Sequence, residues 1–347
     1  MIRIRTILIL FLWHAPLVSL LASTCPRIGP VDVYQLNEVD VVFIGELLPL
    51  EDPQLGGGTW DHDNHFVVEK VYKGDIKPGD TIPVDWKTMA MLADIYPRIR
   101  TGKRWLLYLN EKFYEGEYYR KPCGRGRPLV ADTDPRVEKY LSNLQGKEAD
   151  ELAFLDAYLA QGNGPVDWKL GDYQAKGNWE EGIPTGEWSY FEEGELIATG
   201  SYEKGKKHGK WTFFGCRPIR VGLSSSAYYG KREQHFVHGQ ANGLRKDYHP
   251  NLNPMSEGLV HTDWYEDGSP MEPIRIGPWK EWWPNGNKRS EGRYVPGCHE
   301  CKSGEWNWFY LDGRLKKTVQ YEICLNEDYL MDCEVKVVEY DSVGRGK

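Results

Sequence analysis

The spacing of apolar and polar positions changes three times along this chain, and each change predicts a different kind of element. Ile7 to Leu21 is apolar apart from His14, Pro16 and Ser19; it follows Arg3 and Arg5 and runs into Ala22-Ser23-Thr24. A positive start, a short apolar run and small residues predict a secretory signal peptide over 1–24, because the run falls short of the roughly 20 residues a membrane helix needs. Four short apolar, β-branched or aromatic runs come next: Val39–Leu48, Phe66–Tyr72, Thr81–Trp86 and Arg104–Leu109, separated by Gly- and Pro-bearing turns. Such runs predict the strands of a small β-barrel or sandwich. The period then becomes helical. Asp134-Pro135 supplies a cap and a first-turn proline, and Val137, Tyr140, Leu141 and Leu144 fall on one stripe. A second helix is expected over Lys147–Ala160, with Leu152, Leu155 and Leu159 on one face, stopped by Gly162-Asn163-Gly164-Pro165.

Beyond Pro165 tryptophan takes over, with ten of the chain's fourteen, and they recur in register. Trp188 and Trp211, Gly182 and Gly205, and Gly186 and Gly209 each lie 23 residues apart. Gly277-x-Trp279-x-x-Trp282-Trp283-x-Asn285-Gly286 repeats as Gly304-x-Trp306-x-Trp308-Phe309-Tyr310-x-Asp312-Gly313 at an offset of 27. Degenerate copies lie near Gly243–Tyr248 and Tyr340–Gly344. Each unit reads as an aromatic strand, a polar-Gly turn and a returning strand. Asn-Gly and Asp-Gly between alternating aromatics are strong hairpin signals. A lone hairpin is marginal, so the units must stack to bury their aromatic face. Trp188, Trp211, Trp279 and Trp306 are therefore expected in equivalent surroundings.

Two resemblances follow. Cys25, DVVFIGEL, FVVEKVYKGD, the WLLYL strand and CGRGRPL, in that order, resemble the netrin-like domain of tissue inhibitors of metalloproteinases, an OB-fold barrel. That resemblance implies a Cys25–Cys123 disulfide. It also implies inhibition through a free Cys25 amine, but Arg27 stands where the family's second cysteine would be, and cleavage would have to follow Thr24. The tryptophan units resemble the MORN repeat in its bacterial antitoxin-like variant, which implies contact with a protein or membrane. The expected fold is mainly β: an OB-like barrel with a terminal helix over 25–145, a helical connector over 146–165, and a MORN-type hairpin array over 166–347.

Charge and cysteines narrow the functional classes. A net charge of −8, with no evident Lys/Arg stripe, argues against nucleic acid as partner. The seven cysteines suit an oxidising compartment, the odd count leaving one over. Cys298-His299-Glu300-Cys301 reads as a disulfide across the repeat loop, as halves of two bridges, or as half a zinc site that lacks its second pair. Cys324 and Cys333 bridge the last two strand segments, leaving Cys216. Cys25 could instead carry a lipid anchor, which leaves an even number of other cysteines. His62 and His65, within Asp61-His62-Asp63-Asn64-His65, are metal-ligand types in a loop that follows three glycines. No G-x-S-x-G, H-E-x-x-H or phosphate-loop pattern occurs, and Ser224-Ser225-Ser226 has no base nearby in sequence.

The sequence thus points to an exported, non-enzymatic binding or scaffolding protein with neither cofactor nor catalytic residue. Its partner is expected to be a protein, with a glycan or the cell envelope as alternatives. Trp282, Trp283 and Trp308 are the candidate contact residues, since neighbours on a strand face opposite sides. The rival readings are a metalloproteinase inhibitor acting through the barrel and a metal-dependent enzyme. Oligomeric state is left open.

Overall fold

The computed structural model describes residues 32–48, 64–84, 104–111, 118–119, 126–129, 139, 142, 146–215, 230–264, 270–296, 298, 300–326 and 329–340. The expected signal peptide, Cys25, Cys123, Cys216, His62 and Ser224–Ser226 lie outside them. So does most of the first expected helix, of which Lys139 and Ser142 are helical.

The first module opens with α1 (Val33–Asn37), capped by the Asp32 carboxylate accepting from the Gln35 amide at 2.9 Å. Six strands follow: β1 (Val41–Leu47), β2 (Asn64–Lys73), β3 (Thr81–Val84), β4 (Arg104–Glu111), β5 (Tyr118–Tyr119) and β6 (Gly126–Pro128). β1 pairs antiparallel with both β2 and β4, β2 with β3, and β4 with β5 and β6; β3 and β5 meet in parallel at Val84 and Tyr118. β1 and β4 are apolar through their centres because both their faces are covered there. Val41, Phe43, Trp105, Leu107 and Leu109 fill the module's own core. Val42, Leu106 and Tyr108 join a second core shared with the rest of the chain.

α2 (Glu148–Gln161) starts with Glu148, Asp150 and Glu151 at its positive end and stops at Gly162, where φ is +60°. Its buried stripe is Glu151, Phe154, Leu155 and Tyr158; of the leucines read from sequence Leu155 is buried and Leu152 packs against the same core, but Leu159 is exposed. Aromatic packing selects the stripe. Phe154 meets Trp168 edge-on at 4.9 Å, and Tyr158 meets Trp179 at 4.5 Å. Glu151 is buried because it accepts a hydrogen bond from the Tyr108 hydroxyl at 2.8 Å and lies 3.5 Å from Arg127. Among the described residues no helix is long and apolar enough to cross a membrane.

The remaining strands form one thirteen-stranded antiparallel meander in sequence order. They are β7 (Gly164–Leu170), β8 (Tyr173–Glu180), β9 (Ile183–Glu192), β10 (Glu195–Glu203), β11 (Lys206–Phe214), β12 (Lys231–Val237) and β13 (Gln240–Tyr248). β14 (Pro254–His261), β15 (Ile274–Trp282), β16 (Lys288–Tyr294), β17 (Lys302–Phe309), β18 (Leu315–Asn326) and β19 (Tyr329–Glu339) complete it. The repeats are equivalent, as their spacing requires. Trp188, Trp211, Trp279 and Trp306 are all buried, each with its indole over a glycine of the preceding strand: Gly177, Gly200, Gly258 and Gly292 respectively. In three of them the indole N–H donates to the carbonyl just after that glycine: Ser201 at 3.0 Å, Leu259 at 2.9 Å and Arg293 at 3.1 Å. Trp188 donates instead to Thr185 at 3.2 Å.

The turns differ from expectation. Asn285 and Asp312 keep negative φ, and only the glycines after them are left-handed. Their carboxamide and carboxylate oxygens accept the amides of Asn287 and Arg314, fixing the turn from the side chain. The tight two-residue turns, left-handed at both positions, are Glu181-Gly182, Glu193-Gly194, Lys204-Gly205 and His238-Gly239.

Candidate functional site: the hairpins β15–β18

Two rows of side chains cross the sheet on the tryptophan face. One is made of successive cross-strand partners: Trp168, Ala175, Tyr190, Ala198, Phe213, Arg232, Asp247, Ser256, Glu281, Ser290, Trp308 and Lys317. It is aromatic and small at first, charged in the middle and aromatic again. The second row carries the tryptophans and their glycine seats. At its centre Gln234 stands where a glycine is expected and Arg245 where a tryptophan is expected.

The first part of this face is already occupied. Asn37 at the end of α1 donates to the Tyr190 hydroxyl at 2.9 Å and accepts the Trp179 indole N–H at 3.1 Å. Glu38 accepts the Tyr202 hydroxyl at 3.0 Å. Lys207 is buried among the rings of Tyr34, Trp211, Phe213 and Phe236, 4.8 to 5.2 Å from their centres, and pairs with Glu38 at 3.0 Å. A polar cleft remains at this junction, between Asp40, Glu111, Lys206 and His238. Lys206 is bound by Asp40 at 2.5 Å. Behind it lies Lys73, buried and donating to the carbonyls of Leu36 and Val39 at 2.8 and 2.6 Å. Burial lowers its ammonium pKa to about 8, although Asp40 and Glu38 act the other way.

The middle of the face is a buried ion cluster. Asp247 accepts from Arg232 Nε at 2.5 Å, from Arg245 at 2.9 and 3.1 Å and from the Ser256 hydroxyl at 3.2 Å. Burial opposes its ionisation, but these donors outweigh burial and hold the carboxyl below its ordinary range.

The last hairpins differ from both. Trp279 and Trp306 are buried, whereas Trp282, Trp283 and Trp308 are only half-buried. Trp308 stacks on Trp306 at 5.7 Å, and Trp283 donates its indole N–H to the Phe309 carbonyl at 3.2 Å. Trp282 ends β15, and its carbonyl is bound to the His249 ring at 2.9 Å. A cation lies over almost every ring. Arg289 is 5.0 Å from the Trp283 centre, Lys317 4.7 Å from Trp308, Lys288 5.4 Å from Phe309 and Lys316 5.8 Å from Tyr310. Arg275 covers Tyr294 at 4.7 Å and is held from the β16–β17 loop by both oxygens of Glu300 at 2.7 Å. Within the surface, burial pushes the Tyr294 phenol up to about 12.

The cations were not singled out from the sequence, although the signal was there. Residues 274–321 carry nine Lys/Arg against five Asp/Glu, a net of +4 in a chain of −8.

The remaining candidates divide simply. Cys298 and Cys301 form a disulfide pair with Cα atoms 5.5 Å apart, and Cys324 and Cys333 a second at 6.0 Å, so neither pair offers thiolates to zinc. His65 is exposed on β2, and among the described residues no three His, Cys, Asp or Glu side chains gather to hold a metal.

A family profile described as a MORN repeat variant matches residues 275–295, the strands β15 and β16 with their turn. No curated protein matches the chain. The match supports a binding or scaffolding role, and it falls on the surface where aromatic rings remain half-buried.

Proposed function

We propose that the chain is an exported, non-enzymatic scaffolding protein that offers the hairpins β15–β18 to a protein partner at the cell envelope. One observation carries this reading: the array's tryptophan face is sealed by α1 and α2 in its first half, while Trp282, Trp283 and Trp308 stay half-buried in its second. Half-buried Trp and Tyr beside Arg are the composition of energetically dominant contact residues. The signal-peptide pattern of residues 1–24 and the two cystine pairs support export. Pairing of β1 with both β2 and β4 supports the OB-like reading of residues 25–145.

Photo-crosslinkers placed at positions 289 and 316 test the reading in the native envelope. A protein crosslinked by the wild-type array and lost in the Trp283→Ala/Trp308→Ala variant is the expected result. Crosslinks that ignore those tryptophans would remove β15–β18 as the contact surface.

A further inference from the structure

Two groups of side chains on the tryptophan face are copies of one another. Around Trp211 stand Lys207, four residues before it, Tyr202 opposite that lysine, Phe213 two residues after the tryptophan, and Phe236 opposite Gly209. Around Trp306 stand Lys302, Tyr294, Trp308 and, opposite Gly304, Tyr321 at the same positions. The geometry repeats with the spacing. Tyr202 meets Trp211 edge-on at 5.0 Å, and Tyr294 meets Trp306 edge-on at 5.0 Å. Phe213 stacks on Trp211 at 5.9 Å, and Trp308 on Trp306 at 5.7 Å. The Lys207 ammonium lies 5.2 Å from the centre of Phe236, and that of Lys302 5.2 Å from the centre of Tyr321.

The first group carries a docked segment, one turn of α1 with its C-cap. The Tyr34 hydroxyl accepts from Lys207 at 2.5 Å, and its ring centre lies 4.8 Å from the same ammonium. Glu38, four residues on and therefore on the same side of the helix, takes Lys207 at 3.0 Å and the Tyr202 hydroxyl at 3.0 Å. Under this cover the Lys207 side chain is 5% exposed and Phe213 is buried. In the second group Asp332 stands 3.6 Å from Lys302, and Glu334 is engaged by the Tyr321 hydroxyl at 3.0 Å. The Lys302 side chain stays 30% exposed there, beside half-buried Trp308. Arg275 over Tyr294 at 4.7 Å adds a second cation. From this twinning we infer that the Lys302 group takes what the Lys207 group already holds: one helical turn of a partner protein carrying an aromatic ring and, four residues later, a carboxylate. The inference rests on the reading of β15–β18 as the contact surface and names the chemistry of its partner. A ring and a carboxylate closing over Lys302 would exclude water from its ammonium and so strengthen both the cation–π and the ionic contact.

The probe is a synthetic peptide with the sequence of Asp32–Asp40, held helical by a side-chain lactam that spares its tyrosine and glutamate, since preorganisation lowers the cost of binding. It is titrated into the full chain, whose Lys207 group is already filled. Fluorescence anisotropy should show binding that Lys302→Glu weakens by about tenfold or more. The Glu38→Lys peptide should bind wild type as weakly and bind the Lys302→Glu chain better than it binds wild type. With benzoylphenylalanine in place of the peptide's tyrosine, photo-crosslinks should fall on β17 and β18. Circular dichroism of Lys302→Glu keeps misfolding separate from lost contact. No binding at about millimolar peptide, the dissociation constant of roughly 4 kcal/mol of affinity, would overturn the inference. So would binding indifferent to both charge reversals, or crosslinks confined to β9–β12, where the peptide would merely have exchanged with α1. Envelope crosslinks that depend on Trp283 and Trp308 but are unchanged by Lys302→Glu would leave the scaffolding role standing and remove this inference alone.

Discussion

Gly200 on β10 lies directly beneath the indole of Trp211 on β11, so close that a Cβ at position 200 would overlap the ring. Gly200→Ala is expected to destabilise the chain by about 1–3 kcal/mol through overpacking, and Trp211→Ala by about 3–5 kcal/mol through the cavity it leaves. The double variant should cost clearly less than the sum, because the new methyl group enters the space the ring vacates. Urea unfolding of the four proteins reads the coupling. Additive losses would mean that the two positions do not share one site.

Asp247 accepts from both Arg232 and Arg245 in the middle of the sheet. Asp247→Ala should cost about 3–5 kcal/mol by stranding buried guanidinium charge. Replacing Arg232, Arg245 and Asp247 together by apolar residues of similar volume should cost much less. The carboxyl's lowered pKa fixes the sign of the pH effect. Its contribution is complete above the unfolded aspartate value of about 3.9 and disappears as pH falls through the lower folded value. The wild-type advantage over Asp247→Asn, followed from pH 6 to pH 3 by thermal melting, should shrink accordingly.

Lys73 acts in the opposite direction. Its pKa falls on folding from 10.5 to about 8, so between those values the unfolded chain binds more protons than the folded one. Stability from this group therefore rises from pH 8 to pH 10.5, by up to about 3 kcal/mol. The unfolding free energy of the wild type minus that of Lys73→Met should climb over this window. A flat difference would mean that the buried lysine keeps an ordinary pKa.

The Cys298–Cys301 pair closes the loop from which Glu300 holds Arg275 over Tyr294. Glu300 sits at φ +57°, an unfavourable backbone for glutamate. Cys298→Ser/Cys301→Ser should release that conformation and with it Arg275. Amide hydrogen exchange at 274–282 and 294–302 is expected to quicken, with β7–β11 unchanged. Identical exchange across the chain would detach the loop from the ring beneath it.

The repeat was legible because tryptophan spacing survives in four units, and a residue that must enter a fixed seat cannot drift. The strands β1 and β4 were legible as largely apolar runs covered on both faces, and β2 and β3 as shorter runs that bury alternate residues. The tight turns were not, since Glu-Gly, Lys-Gly and His-Gly lack the asparagine that usually marks a left-handed first position. The central ion cluster was hidden within a copy read only as degenerate: Arg245 holds a tryptophan's position, and charge in place of an aromatic breaks the pattern a reader follows. The face of α2 was misjudged because Phe154 and Tyr158 follow aromatic rings far along the chain, which leucine periodicity cannot foresee. The bonds from Asn37 to Trp179 and Tyr190 span 142 and 153 residues, and no local signal announces them.

Those bonds change where the protein can be cut. Composition shifts at Pro165, an inviting border for expressing the repeats alone, yet truncation there would strip Asn37 and Glu38 from Trp179, Tyr190 and Tyr202, remove α2 from Trp168 and Trp179, and take Glu38 from Lys207. A fragment starting at β7 should precipitate or stick to surfaces, while one that keeps residues from Asp32 onward should stay in solution. The seam visible in the amino-acid sequence runs through the interior of a single cooperative body.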